Sequence, residues 1–300
     1  MKIHDILQKK KVTLSLEVFP PKQQAKLDSV LQAAKELSDL KPDFMSITYG
    51  AGGTTRANTV EVASKIQAFG TPALAHLTCI GDSREEMDRT IAQMKGAGIE
   101  NVLALRGDIP AGFSPEHEGE KATIDGLDHA SDLVKILKAQ GLCVGGACYP
   151  EGHPESRSHE ADIAQLKYKV DAGVDFLTTQ MFFDNDMLYS FLYRLQSAGI
   201  HVPVLAGIMP VTNANQISRM IDLSNAYIPR KLLAICDRFR DCPEAMMQAG
   251  IAYATDQIID LISNGIRGIH IYTMNKPEIA GAIIRNLDEI IKATNSASIG

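Results

Sequence analysis

The chain has 300 residues, 45% of them hydrophobic and 22% charged, which is the composition of an ordinary globular protein. A net charge of −6 leaves no strongly basic surface, so we expect no nucleic-acid partner. No apolar run approaches the length of a membrane span, and the basic start lacks the apolar core of a secretory signal. We therefore expect a cytoplasmic protein without a membrane partner.

Short apolar strands alternate with amphipathic helical patterns along the whole chain. The predicted strands are 13–21, 43–53, 73–79, 101–108, 143–150, 175–183, 202–210 and 268–275. The predicted helices between them are 25–40, 58–69, 83–98, 129–141, 159–173, 186–199 and 213–223, and several end in glycine. This alternation predicts a parallel sheet covered by helices. Eight units favour an α/β protein with a single closed (β/α)8 TIM barrel over residues 1–300, rather than an open sheet.

Two segments interrupt this alternation. Residues 109–128 follow the fourth strand as a predicted long loop, which suits a lid or the flank of a cofactor site. Residues 224–266 predict extra helices between strands seven and eight, and we expect them to be ordinary surface helices. We find no sign of a linker or of a second domain.

The five cysteines do not have the spacing of a metal site. None stands in a Cys-x-x-Cys pair, and three lie in predicted strands, where a free thiol behaves as a small apolar group. We therefore expect reduced thiols and no bound metal.

Polar residues stand at or near the ends of most predicted strands. The carboxyl ends of parallel barrel strands meet at one mouth, which is where such barrels keep their active sites. The sequence therefore predicts an enzyme whose pocket brings together Glu17, Thr48, His76, Asp108, Tyr149 and Gln180.

Glu17 is the first candidate for acid–base chemistry. Apolar neighbours flank it near the end of the first strand, where partial desolvation suits a carboxyl group to proton donation. Strand alternation places Ser15 on the same face, so we expect Ser15 to support Glu17 through a hydrogen bond. The alternative is a Glu that is exposed or paired at a strand terminus.

The tripeptide Arg106–Gly107–Asp108 closes the fourth strand. A guanidinium, a flexible backbone and a carboxylate in succession suit a bound polar ring or a phosphate. The alternative is a capping aspartate beside an arginine paired with a neighbour.

A lone strand histidine such as His76 is more often a core residue than a ligand. The glycines of 50–53 lack the spacing of a dinucleotide-binding fingerprint.

The predicted helix 159–173 carries a polar stripe. Asp162, Gln165 and Lys169 recur at helical spacing beside an apolar stripe that should be buried. Such a stripe suits contacts to a ribose or a diphosphate, and equally a solvated helix face, so both interpretations stay open.

Eight motifs, in chain order, resemble the methylenetetrahydrofolate reductase family. They are SLEVFPP (15–21), SITYGAGG (46–53), AHLTC (75–79), LALRGD (103–108), YPEGHPE (149–155), KVDAGVDFLTTQMFFD (169–184), GIMPV (207–211) and YTMN (272–275). The resemblance implies a barrel flavoprotein that uses FAD to pass a hydride from NADH or NADPH to 5,10-methylenetetrahydrofolate, giving 5-methyltetrahydrofolate. It also implies the short bacterial catalytic form without a regulatory domain, and assembly as a homo-oligomer.

The same resemblance implies roles for individual residues. Glu17 would be the general acid that opens the folate ring, and Asp108 would stabilise the resulting cation. The residues implied in cofactor binding are Thr48, Tyr49, Ala51, His76, Arg106, Gly107, Asp108, Ala130, Tyr149, His153, Asp162, Gln165 and Lys169. The residues implied in folate binding are Asp108, Gln180, Gln216 and Lys276. The two substrates would use one site in turn, in a ping-pong reaction.

Four positions depart from the family pattern, and two other functions stay open. Gln165 and Tyr168, in the helix implied to bind FAD, replace an asparagine and an arginine. Lys276 stands where many bacterial members have arginine, and Met220 stands where a phenylalanine can cover the active site. The choice between NADH and NADPH stays open. The first alternative function is a flavin barrel reductase that receives electrons from a partner protein. The second is a folate-binding one-carbon methyltransferase without flavin.

Overall fold

The computed structural model describes residues 1–21, 23–49, 56–80, 83–107, 127, 129–217, 220 and 226–297. The strands are β1 (Thr13–Val18), β2 (Phe44–Ile47), β3 (Ala73–Thr78), β4 (Asn101–Leu105), β5 (Cys143–Cys148), β6 (Phe176–Thr179), β7 (Val204–Ile208) and β8 (Gly268–Tyr272). The first described helices are α1 (Ile3–Lys9), α2 (Leu27–Asp39), α3 (Arg56–Ala68), α4 (Arg84–Gly96) and α5 (Ala130–Ala139). The later ones are α6 (His159–Asp171), α7 (Asn185–Ser197), α8 (Arg230–Phe239), α9 (Pro243–Ser263) and α10 (Pro277–Ser296).

The eight strands form a closed parallel barrel in chain order, which confirms the predicted fold. Each strand pairs with the next, and β8 returns to β1 with Ser15 opposite His270 and Glu17 opposite Tyr272. On the other side of β1, Glu17 lies opposite Ser46 of β2. This register brings residues from distant parts of the chain to one level of the barrel.

The lower part of the barrel interior is apolar, and a short helix seals it. The cluster consists of Ile3, Leu7, Phe44, Leu74, Leu103, Cys143, Phe176 and Leu205. Ile3 and Leu7 belong to α1, and the Ile3 backbone N–H donates to Asn101 Oδ1 at 2.8 Å, at the start of β4. Helix α1 therefore lies at the amino ends of the strands, opposite the mouth. The sequence reasoning missed α1, because seven residues are too few to show a helical period clearly.

The helix ends follow the glycine pattern of the sequence. Gly98, Gly141, Gly173 and Gly199 all have positive φ angles, between 71° and 118°, just beyond the ends of their helices. Only glycine adopts this conformation without strain, so each of these residues stops its helix and turns the chain back toward the next strand.

Several strands end earlier than the sequence predicted. β1 ends at Val18, before Pro20 and Pro21, and β6 ends at Thr179 rather than at residue 183. A proline cannot donate to the sheet ladder, which accounts for the early end of β1. Apart from Leu127, the predicted loop 109–128 lies outside the described residues, as do the glycine cluster of 50–53 and part of the predicted helix 213–223.

The extra helices α8 and α9 confirm the predicted insertion between β7 and β8, but they are more than surface helices. Apolar residues of α8 and α9 pack together with the segments that follow β6 and β7. The buried members of this cluster are Met181, Phe183, Val211, Ala214, Ile217, Met220, Ala226, Ile228, Leu232, Cys236 and Met246. The Tyr253 hydroxyl donates to the Phe183 carbonyl at 2.7 Å, and Gln257 Nε2 donates to the Phe182 carbonyl at 3.1 Å. Helix α9 therefore fixes the segment that begins at the barrel mouth.

Among the described residues, no helix combines the length and apolar character that crossing a membrane requires. The described part of the chain likewise holds no group of three or more potential metal ligands.

Candidate active site

A cavity of about 240 Å³, here called the central cavity, opens above the apolar interior at the carboxyl ends of the strands. Its described lining residues are Glu17, Ser46, Leu74, His76, Leu103, Leu105, Ala147, Tyr149, Thr178, Thr179, Gln180, His270 and Tyr272. Glu17 is only 5% exposed, and it is the one carboxyl group in this lining. The described lining of the central cavity therefore holds a buried carboxyl where the sequence predicted an acid.

Side chains from three neighbouring or facing strands surround Glu17. Ser46 Oγ lies 3.4 Å from Glu17 Oε2. His270 Nε2 lies 3.7 Å and His76 Nε2 lies 3.8 Å from the same oxygen. The inner oxygen of Glu17 thus faces one hydroxyl and two imidazole rings.

The predicted hydrogen bond from Ser15 to Glu17 is wrong. Ser15 Oγ instead lies 2.8 Å from His270 Nδ1 and donates to the Ile269 carbonyl at 3.2 Å. Residues two apart on one strand are separated by about 7 Å, whereas a residue directly opposite on the next strand lies about 5 Å away. Ser46, which is opposite Glu17, therefore takes the place that the sequence reasoning gave to Ser15.

His76 is an uncharged group in this cavity. Burial lowers its pKa to about 4, the nearby Glu17 carboxylate opposes that shift, and His270 adds to it. His76 Nε2 is buried and has no hydrogen-bond partner among the described residues. A buried ring nitrogen without a partner is costly, so this atom suits a polar ligand in the cavity.

Gln180 and Tyr272 form the opposite wall of the central cavity. The Gln180 backbone N–H donates to the Cys148 carbonyl at 2.7 Å, which ties the start of the post-β6 segment to β5. The Tyr272 hydroxyl donates to the Thr179 carbonyl at 2.6 Å. Burial raises the pKa of Tyr272 well above its usual value, so the ring stays a neutral phenol that holds this wall together.

A second cavity of about 330 Å³, here called the lateral cavity, lies beside β4, β5 and the polar face of α6. Leu105, Ala147 and Tyr149 line both cavities, so the two adjoin, and together they are here called the trough. The lateral cavity holds two cations. Lys169 Nζ donates to the Ala147 carbonyl at 2.9 Å, and its burial lowers its pKa. Arg106 forms a two-pronged ion pair with Glu155, at 2.5 and 2.8 Å.

The structure brings most of the predicted site residues into this trough. Those lining the lateral cavity are Arg106, Ala130, Tyr149, His153, Asp162, Gln165 and Lys169. Those lining the central cavity are Glu17, His76, Tyr149 and Gln180. The polar stripe of helix α6 thus faces a cavity, which favours the ligand interpretation over the solvated one.

The other predicted site residues are not among those that line the two cavities. Thr48, Tyr49, Gln216 and Lys276 are not among the described residues that line either cavity. Ala51 and Asp108 lie outside the described residues. Gly107 follows β4 with a φ of 91°, and a Cβ there would lie 2.9 Å from Thr78 Cβ, so only glycine fits.

Ser46, His270 and Tyr272 were missed as site residues. Ser46 and Tyr272 stand inside two of the family-like motifs, and His270 stands two positions before Tyr272 on β8. The period of two in β8 signals that His270 and Tyr272 share a face. The signal that this face meets Glu17 comes only from the strand register.

The trough fits FAD, which the family resemblance implied. An elongated dinucleotide needs an elongated site, and the two joined cavities provide one. The half-buried Lys169 and Arg106, which line the same cavity, supply positive charge that suits a diphosphate. At the other end, His76 Nε2, which has no hydrogen-bond partner within the described part of the chain, offers a contact for a polar ring. The donor set and the shape therefore agree with this cofactor.

A closed parallel barrel with a buried acid and an elongated polar trough at its mouth defines a barrel enzyme. Residues 2–288 match the family model of methylenetetrahydrofolate reductase. The chain therefore belongs to the methylenetetrahydrofolate reductase family, which is a family of oxidoreductases.

The chain is similar over most of its length to bacterial and plant relatives. It is 37% identical over 280 residues to 5,10-methylenetetrahydrofolate reductase of Escherichia coli, covering 92% of this chain and 90% of that one. It is 34% identical over 313 residues to methylenetetrahydrofolate reductase (NADH) 1 of Arabidopsis thaliana. That match covers 99% of this chain but 52% of the plant protein, so the chain spans about half the length of such relatives.

A solved structure shares the fold. It is an uncharacterized protein from Clostridium thermocellum that binds two copies of 5-methyl-5,6,7,8-tetrahydrofolic acid. The TM-score is 0.63 at 17% identity, with 97% of this chain and 99% of that chain covered. At this identity the likeness establishes the barrel fold and nothing further.

Proposed function

We propose that this protein reduces 5,10-methylenetetrahydrofolate to 5-methyltetrahydrofolate, with FAD as its cofactor and NADH or NADPH as its electron donor. Membership of the family and the similarity to a bacterial enzyme of that name over nine-tenths of its length support the proposal. The observation that carries it is the position of Glu17, the one carboxyl group among the described residues of the central cavity, beside a lateral cavity that holds Lys169 and Arg106.

The lateral cavity would hold the cofactor. Lys169 and Arg106 would bind the diphosphate of the cofactor. To do so, Arg106 would leave its ion pair with Glu155 and pair with the diphosphate instead. Thr48 would contact the nicotinamide nucleotide. The remaining residues proposed for FAD are Tyr49, Ala51, His76, Gly107, Asp108, Ala130, Tyr149, His153, Asp162 and Gln165. When bound, FAD supplies a hydride carrier between the nicotinamide and the folate.

Glu17 would act as the general acid. Opening the five-membered ring of the folate breaks a carbon–nitrogen bond, and the departing nitrogen needs a proton. Among the described residues of the central cavity, only Glu17 offers a carboxyl group for this step. The Glu17 O–H bond breaks, a nitrogen–hydrogen bond forms, and the folate is left as a cation that accepts hydride.

The remaining proposed roles concern the folate and the order of events. Asp108 would stabilise the folate cation through its charge. Gln180, Gln216 and Lys276 would bind the folate. Because one cavity serves both substrates, the nicotinamide would leave before the folate enters, which gives a ping-pong reaction.

The exchange of Glu17→Gln tests this assignment. The amide keeps the shape of the side chain but has no acidic proton, so flavin reduction by NADH or NADPH should stay within about twofold of wild type. Reoxidation by methylenetetrahydrofolate should slow by about 100-fold or more, the usual contribution of a general acid. Stopped-flow absorbance under anaerobic conditions measures both half-reactions.

The matched control is Glu100→Gln, which changes an exposed carboxylate beside the chain terminus that pairs with the Met1 amino group. It should leave both half-reactions unchanged. If Glu17→Gln slowed both half-reactions equally, Glu17 would be structural and not the acid. If it slowed neither, another group would supply the proton.

We also propose that the protein is cytoplasmic and forms a homo-oligomer, as the family resemblance implies. Sedimentation velocity of the purified protein measures the oligomeric state directly. A single species at the mass of one 32.6 kDa chain would contradict that part of the proposal.

A further inference from the structure

The paired register between β1 and β8 ends at the residue proposed as the acid. It runs from Thr13 opposite Gly268 to Glu17 opposite Tyr272, at the carboxyl ends of both strands. Glu17 therefore lies on the last rung of this ladder, where a strand opens most readily. Two side chains of the segment after β8 bind β1 at and beyond this point, and they carry the inference.

Thr273 binds the carbonyl group of Glu17 itself. The Thr273 hydroxyl donates to the Glu17 carbonyl at 2.6 Å and accepts from the Asn275 backbone N–H at 3.1 Å. Both directions are fixed, because a carbonyl oxygen only accepts and a backbone N–H only donates. Thr273 is 2% exposed, so water does not compete for its hydroxyl. The main chain of the proposed acid is thus anchored directly by a buried side chain.

Asn275 binds the main chain two residues further along. Its Oδ1 accepts from the Phe19 backbone N–H at 2.9 Å, and its Nδ2 donates to the Phe19 carbonyl at 2.8 Å. One side-chain amide thus pairs with both backbone groups of Phe19, as a residue of a neighbouring strand would. Pro20 and Pro21 follow and have no N–H to offer a ladder, so Asn275 holds β1 just before the chain leaves the sheet.

The segment that carries these side chains has an unusual backbone. Met274 and Asn275 have φ angles of 53° and 56°, in the left-handed region. Asparagine adopts this conformation more readily than most residues, whereas methionine is strained there. Strain of this kind persists only where the surrounding structure enforces it, and it concentrates at functional sites. With this backbone, the Asn275 amide reaches Phe19.

The chain has the same device at the opposite end of β1. Asn295 Oδ1, near the end of α10, accepts from the Lys11 and Val12 backbone N–H groups at 3.1 and 2.9 Å. Asn295 Nδ2 donates to the Val12 carbonyl at 3.0 Å. This amide also holds the main chain of β1, but five positions before Glu17 and away from the mouth. It is therefore a matched control for Asn275.

We propose that Thr273 and Asn275 are positioning residues for Glu17, which they hold where it can protonate the folate nitrogen. The proposal rests on the proposed function. The Glu17 side chain extends from a main chain that Thr273 fixes at its carbonyl and Asn275 fixes two residues beyond. Without these bonds the last rung of the ladder shifts, and the carboxyl group shifts with it. A displacement of about 1 Å can slow a reaction by about 100-fold.

Anaerobic stopped-flow absorbance of Thr273→Val and Asn275→Gly tests the proposal. Valine keeps the shape of threonine without its hydroxyl, and glycine keeps the left-handed backbone without the amide. Each exchange should slow reoxidation of the reduced flavin at saturating methylenetetrahydrofolate by about tenfold or more, because the acid is misplaced. Flavin reduction by the nicotinamide needs no acid, so it should stay within about twofold of wild type.

Two controls separate positioning from stability. Thr273→Ser keeps the hydroxyl and should restore the folate step to within about twofold of wild type. Asn295→Ala should lower the free energy of unfolding in urea, as Asn275→Gly does, yet leave both half-reactions unchanged. The proposal is overturned if Thr273→Val or Asn275→Gly leaves the folate step unchanged, or if both half-reactions slow together. It is also overturned if Asn295→Ala slows the folate step as much.

A second measurement needs no enzymatic activity. Pro20 and Pro21 lack an amide proton, so Phe19 carries the last exchangeable amide of segment 13–21. Hydrogen–deuterium exchange followed by mass spectrometry should show faster exchange of this segment in Asn275→Gly but not in Asn295→Ala. Unchanged exchange in Asn275→Gly overturns the proposal. If exchange rises as expected but the wild-type protein reduces no folate, the proposed function fails and only the anchoring of β1 stands.

Discussion

Neighbouring strands, rather than neighbouring residues in the chain, surround the buried carboxyl group of this protein. Glu17 meets Ser46 from β2, His270 from β8 and His76 from β3, all within 3.8 Å of Oε2. These partners are 29 to 253 positions away along the chain. The electrostatic setting of the proposed acid is therefore a product of barrel closure.

His76 makes stability depend on pH. Its folded pKa of about 4 lies below its usual value of 6.5, so between these values the unfolded state binds more protons. The free energy of unfolding should therefore be fully retained above pH 6.5 and fall as the pH drops toward 4. At pH 5 the loss should be about 2 kcal/mol relative to pH 7.

Urea unfolding of wild type and His76→Gln at pH 7 and pH 5 measures this contribution. The variant cannot titrate at position 76, so its stability should fall less than that of wild type over this interval. Because both proteins carry the same other carboxylates, the difference between the two losses isolates His76. Equal losses would mean that His76 is not held neutral in the folded protein.

The sequence allowed Glu17 to be predicted as an acid, but not its surroundings. A carboxyl among apolar neighbours at a strand end is visible in the chain itself, as are Gln180 and the polar stripe of α6. Ser15 was given the wrong partner, and Ser46 and His270 were overlooked, because contacts across strands depend on register. Register follows from the packing of the whole barrel, which no local pattern contains.

At the scale of elements, helix α9 supports the active-site mouth from outside the barrel. Tyr253 and Gln257 hold the backbone carbonyls of Phe183 and Phe182, just beyond Gln180. Gly250 lets the helix approach the segment after β7 so closely that a Cβ would lie 2.0 Å from the Val211 carbonyl oxygen. Helix α9 thus fixes the positions of both the segment after β6 and the segment after β7.

The exchange of Gly250→Ala should destabilise the protein. The added methyl group meets backbone atoms that cannot rotate away, and overpacking of this kind costs about 2 kcal/mol or more. Gly96→Ala, at the end of α4, is the matched control because a Cβ there meets nothing within 4 Å. It should stabilise the protein by about 0.5–1 kcal/mol through helix propensity.

Chemical denaturation of both variants gives the comparison. The close approach at Gly250 is established if Gly250→Ala lowers the free energy of unfolding while Gly96→Ala raises it. A Gly250→Ala protein as stable as wild type would show that α9 does not press on the segment after β7.

The periodicity of the sequence predicted all eight strands and most of the helices, for a physical reason. Parallel strands buried on both faces are continuous apolar runs, and their helices show a clear stripe and a glycine stop. Helix α1 was missed because it has seven residues, and the ends of β1 and β6 were placed too late. The role of α8 and α9 was missed because amphipathic helices look alike whether they cover a sheet or a loop.

At the scale of the molecule, the barrel protects its thiols. None of the five cysteines, all of which are described, forms a disulfide; Cys242 is exposed, and Cys79, Cys143, Cys148 and Cys236 are buried. Burial raises the pKa of Cys143 to about 11 and raises that of Cys148 further, so neither forms a reactive thiolate at neutral pH.

A thiol reagent should therefore detect one fast-reacting group in the native protein. Reaction with a coloured disulfide reagent at pH 8 should release about one equivalent quickly, and the other four only after unfolding in urea. Cys242→Ala should remove the fast phase and leave the slow one. A fast phase of two or more equivalents would mean that the barrel opens far more readily than its packing indicates.

The central claim is that this barrel passes a hydride from a nicotinamide to a folate through a flavin. The most direct measurement is anaerobic absorbance of the purified protein, first with NADH or NADPH and then with methylenetetrahydrofolate. We predict that the nicotinamide bleaches the visible flavin band and that the folate restores it. A yellow protein that neither nicotinamide bleaches, but that an artificial donor reduces, would instead indicate a reductase fed by a partner protein. A colourless protein that cannot be reconstituted with FAD would contradict the account and favour a folate-binding methyltransferase.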